Sequence, residues 1–370
     1  MTSESNLDTS GNSLQLVLEQ SEPILLDVKL QCEAGKMIAL TGPSGSGKTT
    51  VLRSIAGLDK VARQRILCNG ETWASSTDGI HRSPQQRRAG LMFQDYALFP
   101  HLSAADNIAI AMQHVPRASR ASRTEQLLIT TNMQGLGKRK PHTLSGGQQQ
   151  RIALARALAR DPSVLLLDEP FAAVDQQTRR KLYRELSQLR AQLSIPIVLV
   201  THDINEVQQL CDRICLIHRG KTLQSGTVDE VIQRPATRQI AKLLGFQNIV
   251  DASVRQHTDQ YSLFSVGAVL LKGPKAADPP GSNVSLLIPP SAIVLHRADK
   301  PSRGEAENPV IGTIANAVSL GDEISVRMHL DDIKKSLRFR ISRHVAQRND
   351  LMAGSKITVS LKSDSMHVMR

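Results

Sequence analysis

The sequence predicts an α/β domain over residues 1–245 followed by an all-β domain over residues 246–370, and three observations carry that expectation. Short apolar runs (Met37–Leu40, Val164–Leu167, Ile195–Val200, Ile214–Ile217) alternate with helical segments such as Gln149–Arg160 and Gln176–Leu193. That alternation predicts a largely parallel sheet with helices on its faces. Strand signals vanish between Asp95 and Thr143, where Ser103–Gln113 and Arg123–Asn132 read as helices, so a helical insertion is expected over about residues 95–144. After Asn248 the period changes to two: Ile324, Val326, Met328 and Leu330 interleave with Ser325, Arg327 and His329, and Leu337, Phe339 and Ile341 repeat the pattern. These are half-buried strands.

The β domain also repeats itself. Val284–Arg297 (VSLLIPPSAIVLHR) aligns without a gap on Ile357–Arg370 (ITVSLKSDSMHVMR), which predicts two similar halves, 246–297 and 308–370, each part of a small barrel unit. The charged, Pro- and Gly-containing stretch Ala298–Asn308 reads as the linker between them. Chance similarity of two β-rich segments is the alternative.

Composition bounds the class. The chain has 370 residues, 40% of them hydrophobic and 22% charged, which suits two or three globular domains with proper cores and excludes disorder and collagen. No apolar run approaches the ~18 residues of a membrane span, and the polar start MTSESNLDTS is no secretory signal. A cytosolic setting is expected. The four cysteines, Cys32, Cys68, Cys211 and Cys215, form neither a disulfide framework nor a CxxC pair and are expected as buried free thiols. The net charge is +12, but it is spread in short runs such as Lys138–Lys140, Arg179–Lys181 and Lys334 with Lys335, and the chain holds only six Phe, three Tyr and one Trp. Single-strand binders need stacking platforms among their cations, so a solvated surface is the preferred reading and attraction to an anionic membrane face the second.

The chemistry lies in three segments. Gly42–Thr49 spells GPSGSGKT between an apolar run and the helical pattern Thr50–Ala56, the strand, glycine loop and helix of a P-loop. Gly42, Pro43, Ser44, Gly45, Ser46 and Gly47 would turn backbone N–H groups toward phosphate oxygens, the helix start with Thr50 would add partial positive charge, and Lys48 a full one. Thr49 offers a hydroxyl to Mg²⁺. Next, Val164–Glu169 (VLLLDE) delivers two carboxylates to the edge of a sheet: Asp168 to hold magnesium, Glu169 to polarise an attacking water. With Pro170 following, the pair also reads as an ordinary helix start. Third, Leu144–Gln150 (LSGGQQQ) precedes a helix with apolar Ile152, Ala155, Leu158 and Ala159, so Ser145, Gly146 and Gly147 sit at a helix N-terminus, either as an anion site or simply as a cap.

The ordered combination resembles the ATP-binding cassette (ABC) ATPases over residues 14–245. The resemblance implies a P-loop NTPase fold with a helical subdomain, ATP and Mg²⁺ as cofactors, and a head-to-tail homodimer in which Ser145–Gln148 of one copy close over the phosphate held by Lys48 of the other. It also implies that Gln94 (FQDYALFPH) contacts magnesium and the attacking water, that His202 (LVTHD) contacts the γ-phosphate, and that Asp175 (AAVD) belongs to the dimer-interface loop. One departure stands out: the family commonly stacks adenine on an aromatic ahead of the P-loop, and here no aromatic precedes Trp73. Aliphatic packing from the Leu16–Leu26 region would have to replace it.

With one cassette and no membrane span, the resemblance points to the importer type. YALFPHL looks like the docking surface for a permease helix, and the β tail looks like the OB/TOBE-like (MOP-like) regulatory domain of importers for oxyanions, iron, polyamines and sugars. Asp78–His101 and the closing SMHVMR resemble most the molybdate/tungstate importer ATPases, with iron(III) and polyamine importers sharing much of the pattern. The implied protein is peripheral on the cytoplasmic face of the inner membrane, partnered by a permease and indirectly by a substrate-binding protein. The tail would serve as a dimerisation platform or sense an oxyanion, with Ser319, Gly321 and Ser363 as candidate donors. No nucleic acid is expected as partner, and a nucleic-acid-associated ABC ATPase is the reading from a different class.

Overall fold

In the computed structural model, residues 13–172, 174–296, 307–331, 333 and 335–370 are described. The chain divides into two compact units between Val231 and Ile232. The N-terminal stretch, Ala173, Lys334, Arg297 and most of the linker lie outside the described residues.

Strand chemistry sets the first unit. In β2 (Leu26–Glu33) Leu26, Val28, Leu30 and Cys32 are buried while every second residue is exposed, the mark of a sheet with one wet face. It pairs antiparallel with β1 (Ser13–Gln20). By contrast, β3 (Met37–Thr41) is buried on both faces. Then follow α1 (Lys48–Ala56), β4 (Arg63–Cys68), β5 (Glu71–Ser75), β6 (Ile80–His81), β7 (Ala89–Met92), α2 (Ala104–Ala109), α3 (Arg117–Thr130) and α4 (Gly146–Leu158). The unit continues with β8 (Val164–Asp168), α5 (Gln176–Arg190), β9 (Ile197–Val200), α6 (Ile204–Leu210), β10 (Arg213–His218) and β11 (Lys221–Thr227), and α7 (Val228–Gln233) leads out of it.

All eleven strands join one sheet in the order β6-β5-β4-β1-β2-β11-β10-β3-β9-β8-β7. The expectation of a largely parallel sheet holds for only one side of it. Strands β7, β8, β9, β3 and β10 are parallel neighbours, whereas β2, β1, β4, β5 and β6 run antiparallel. The doubly buried runs stood out as strands, and the half-exposed ones did not. Each face of the sheet has its own core, one built with α2–α5, the other around α1 with Leu14, Leu16, Ile55 and Trp73.

The helical insertion consists of α2 and α3. Helix α3 starts at Arg117, six residues before its apolar signal, because Pro116 opens it and its buried residues Thr124, Leu127 and Leu128 all lie in the second half. All four cysteines are free, and only Cys211 is partly exposed. Burial pushes the Cys32 and Cys68 thiols up to about 12, so neither is a nucleophile at neutral pH. No helix among the described residues is long and apolar enough to cross a membrane.

The second unit opens with α8 (Arg238–Leu243), followed by β12 (Ile249–His257), β13 (Ser262–Val266), β14 (Val269–Gly273), β15 (Asn283–Leu287) and β16 (Ile293–Leu295). Then come β17 (Glu307–Leu320), β18 (Glu323–Leu330), β19 (Ser336–Ser342), α9 (Arg343–Arg348), β20 (Lys356–Lys362) and β21 (His367–Met369). Its two antiparallel sheets are β14-β13-β12-β15-β21 and β19-β18-β17-β20-β16. The aligned segments are the same device twice: β15, a 3-10 turn at Pro290–Ala292 and β16; then β20, a 3-10 turn at Ser363–Ser365 and β21. In each case the short last strand crosses to the other half's sheet, β16 onto β20 and β21 onto β15.

Two buried asparagines repeat the symmetry. The Asn248 side chain, just ahead of β12, donates to the Arg338 carbonyl and accepts from its N–H, both at 2.7 Å, closing the edge of β19. Asn308 in β17 does the same to Lys272 of β14, at 2.9 and 2.7 Å. Each amide supplies the two-point pairing a strand edge would otherwise lack.

Candidate active site

The glycine loop connects β3 to α1. At Gly42 (φ 153°) a Cβ would lie 1.9 Å from the Ile217 carbonyl oxygen, so no side chain fits. The loop folds around its own lysine: Lys48 Nζ donates to the Gly42 and Pro43 carbonyls at 2.9 Å each. Burial pushes the Lys48 amine down, against the pull of Glu169 and Asp168. The Ser46 hydroxyl is buried without a partner. Such an orphan at a helix start with free N–H groups is what a phosphate oxygen would satisfy.

The wholly buried β8 ends with Asp168 against this loop. Burial and the Glu169 charge push the Asp168 carboxyl up, while the Thr49 hydroxyl and Lys48 hold it down. Glu169 then turns into the left-handed region (φ 42°), and its N–H donates to the Val200 carbonyl at 3.0 Å. That turn excludes the helix-start reading of the pair, because the next helix begins only at Gln176. One Glu169 oxygen lies 3.2 Å from His202 Nδ1, the other 3.5 Å from Gln94 Nε2. Lys48, Thr49, Asp168, Glu169, Gln94 and His202 thus meet at the carboxyl edge of the parallel strands. His202 is 66% exposed.

Asp175 and Ser145 sit elsewhere. Asp175 caps α5, accepting from the Gln177 and Thr178 N–H groups, and these hold its carboxyl below the usual range. Ser145 caps α4 in a capping box with Gln148, leaving Gly146 and Gly147 in the first turn. Among the described residues no hydrogen bond or ion pair joins Ser145–Gln148 or Asp175 to Gly42–Thr50 of the same chain.

Sequence reading missed the support behind His202. Glu206 is buried on α6 and accepts from the Thr201 hydroxyl at 2.6 Å and the Tyr183 hydroxyl at 3.1 Å. The Thr201 hydroxyl accepts in turn from the Asp203 N–H at 3.0 Å. The loop carrying His202 is thereby tied to α5. In the sequence Glu206 looks like a first-turn residue after the Asp203 cap, and only burial distinguishes it.

Beside Gly220 the backbone of Leu25 comes so close that a Cβ would lie 1.7 Å from its carbonyl oxygen, and Gly220 N–H donates to the Ser46 backbone carbonyl at 3.1 Å. Ile24 and Leu25 therefore stand next to the glycine loop, and both are exposed, at 47% and 43%. Leu16, Leu18 and Leu26 are buried in the core.

A second feature of this unit is a groove of about 710 Å³ lined by Leu58, Phe99, Ile110, His114, Arg156 and others. Leu58, Phe99 and Ile110 are exposed. The buried Asn107 holds the groove wall by donating to the Phe99 carbonyl and accepting from its N–H. In the second unit, Ser363 adjoins Lys362, which pairs with Glu307, whereas Ser319 pairs with Ile324 beside Gly321. They lie at opposite ends of the 14-residue β17, roughly 30–40 Å apart at ~3.3 Å per residue. The three candidate oxyanion donors do not form one site.

A family model described as ABC transporter matches residues 25–172, and one described as TOBE domain matches 304–368. A sulfate/thiosulfate import ATP-binding protein of Synechocystis is 37% identical, over 90% of this chain and 88% of its own. A spermidine/putrescine import ATP-binding protein of Pseudomonas fluorescens is 38% identical over 85% of each chain. An Fe(3+) ions import ATP-binding protein of Rhizobium meliloti is 34% identical over 92% and 86%. Among solved structures, a dimeric ATP-binding cassette in a post-hydrolysis state with ADP and Pi superposes with a TM-score of 0.50 at 29% identity, covering 58% of this chain and 98% of that one.

Proposed function

The chain belongs to the ATP-binding subunits of ABC importers, ATP-hydrolysing transport ATPases with a TOBE domain, and on that premise we propose that it works as a peripheral homodimer on the cytoplasmic face of a membrane permease. The observation that carries this reading is the meeting of Lys48, Asp168, Glu169, Gln94 and His202 on one sheet edge, with Ser145 and Gly146 exposed at a capped helix start that makes no bond to it among the described residues. A phosphate chain held by Gly42–Thr50 leaves one side for donors from elsewhere, and the α4 start of a second copy has the N–H groups and dipole to provide them.

In this reading Glu169 takes the proton of the attacking water, Gln94 and His202 fix the carboxylate and the terminal phosphate, and Lys48 neutralises charge that builds on the leaving oxygens. Thr49, Asp168 and Gln94 are hard oxygen donors of the kind magnesium takes alongside phosphates. When bound, the ion would supply Lewis-acid charge stabilisation. Ile24 and Leu25 are assigned as the flat aliphatic support for the base. An aromatic there is worth ~0.5–1.5 kcal/mol beyond its area, so Leu25→Tyr is expected to tighten ATP binding by about two- to twelvefold, read by nucleotide titration; unchanged affinity removes the assignment.

The groove at Leu58, Phe99 and Ile110 is assigned to a permease segment. For the cargo we infer a tetrahedral oxyanion of the sulfate class. Sulfate/thiosulfate is named for the Synechocystis relative and molybdate for none of those described above, so the narrower molybdate expectation is set aside in favour of the shared dianion chemistry. Polyamine or iron(III) is the second reading, favoured by the other two relatives. The test is ATPase activity with a sulfate-type permease complex in liposomes: stimulation supports the importer role. Stimulation instead by DNA or RNA, falling with salt as phosphate contacts are lost, would transfer the protein to the nucleic-acid class.

A further inference from the structure

The loop after Gln94 contains two consecutive left-handed residues that carry side chains, Tyr96 (φ 61°) and Ala97 (φ 44°). Residues with a Cβ enter that region only when the surroundings hold them there. The holder is Arg156 on α4. Its Nη1 donates to the Ala97 carbonyl at 2.6 Å and its Nη2 to the Tyr96 carbonyl at 2.7 Å, with the guanidinium 5.9 Å from the Phe99 ring centre. On the other side of the loop the buried Tyr96 donates through its hydroxyl to the Pro170 carbonyl at 3.3 Å, next in the chain to Glu169. Both anchors hold the residues just after Gln94, one from α4 and one from the residue after Glu169, and the Tyr96 N–H closes the turn around Gln94 by donating to the Phe93 carbonyl at 2.9 Å.

We propose that Arg156 is a positioning residue for hydrolysis: its two-point grip on the Tyr96 and Ala97 carbonyls fixes the left-handed turn that aims Gln94 at Glu169. The inference rests on the assignment of Gln94 and Glu169 to hydrolysis given above. The planar fork of a guanidinium suits two adjacent carbonyls, and an ammonium reaches one at a time. Without the grip, Ala97 relaxes out of the left-handed region and Gln94 leaves the carboxylate. The glycine loop is untouched, so nucleotide binding stays.

The experiment is steady-state ATPase kinetics of the full chain. Arg156→Ala is expected to lower kcat about tenfold with KM for ATP within about twofold, a loss confined to the transition state. Arg156→Lys falls between. Ala97→Gly, near neutral alone, should restore most of the loss in the Arg156→Ala background, because glycine takes positive φ without strain. An unaltered kcat in Arg156→Ala, or a loss that Ala97→Gly does not restore, overturns the inference; the second result would mean that Arg156 supports α4 and not the loop. If Arg156→Ala does not fold, Arg156→Lys with and without Ala97→Gly makes the same comparison. Gln94→Ala, run in parallel, separates the two levels: full activity there removes the Gln94 assignment and this inference with it, whereas loss there with a normal Arg156→Ala removes this inference alone.

Discussion

Glu169→Gln is expected to keep ATP binding while lowering turnover by ~10²–10⁴-fold, the range for a lost general base. The structure gives this variant unusual sharpness. Glu169 is held by its backbone, through the left-handed turn and the bond to Val200, so the amide of glutamine occupies the same place and can still meet Gln94 and His202. Only the proton-accepting oxygen is lost. Asp168, with its hydroxyl contact to Thr49 and its neighbour Lys48, stays as it was, so affinity measured by nucleotide titration should hold. Because unspent ATP would then bridge two copies, sizing in ATP should show a persistent dimer. Near-normal turnover would end the assignment of Glu169, and a monomer with ATP bound would count against the shared site.

Gly42→Ala should abolish nucleotide binding, by ~10²-fold or more, and lower the melting temperature as well. The added methyl would stand 1.9 Å from the Ile217 carbonyl oxygen. That oxygen belongs to a central strand, β10, which pairs on both sides and cannot retreat. The loop must move instead, at the ~1–3 kcal/mol typical of overpacking, and its N–H groups lose their common focus. Lys48→Ala offers the contrast: binding weakens because the charge is gone, but no clash arises and the fold should melt close to normal. Equal binding by Gly42→Ala and the native chain would show that the loop's path is not what gathers the phosphates.

How much of this the sequence discloses depends on where the information lies along the chain. Lys48, Asp168 and Glu169 are legible because each ends or follows an apolar run, and a parallel sheet brings such ends to one edge. Gln94 and His202 are legible only through the family's motifs. The antiparallel strands β4–β6 are hard to see because they are short and their alternation is broken: Ile66, Leu67 and Cys68 are buried in succession at a bulge in the pairing with β5. Arg156 and Glu206 escape for another reason. Each lies on a helix whose pattern already explains it, Arg156 between apolar residues of α4 and Glu206 in a capped first turn, and their partners are about 60 and 20 residues away. Side chains chosen for a distant backbone carbonyl or hydroxyl leave no periodic trace. The β repeat is visible as similarity, yet nothing in it announces that the last strands change places.

That exchange of last strands makes the two halves depend on each other. Sheet one borrows its closing strand from the chain's end, and sheet two borrows from the middle, while Asn248 and Asn308 each fasten the far edge of the other's sheet. The arrangement is a pair of similar hooks, each caught in the other's eye. Each half's sheet is thus completed by a strand of the other, so neither sheet is whole without both halves. The halves are interlocked without being alike: the β17–β18 hairpin is longer than β12–β13, so the surface of one half differs from that of the other while the shared strands hold both sheets closed.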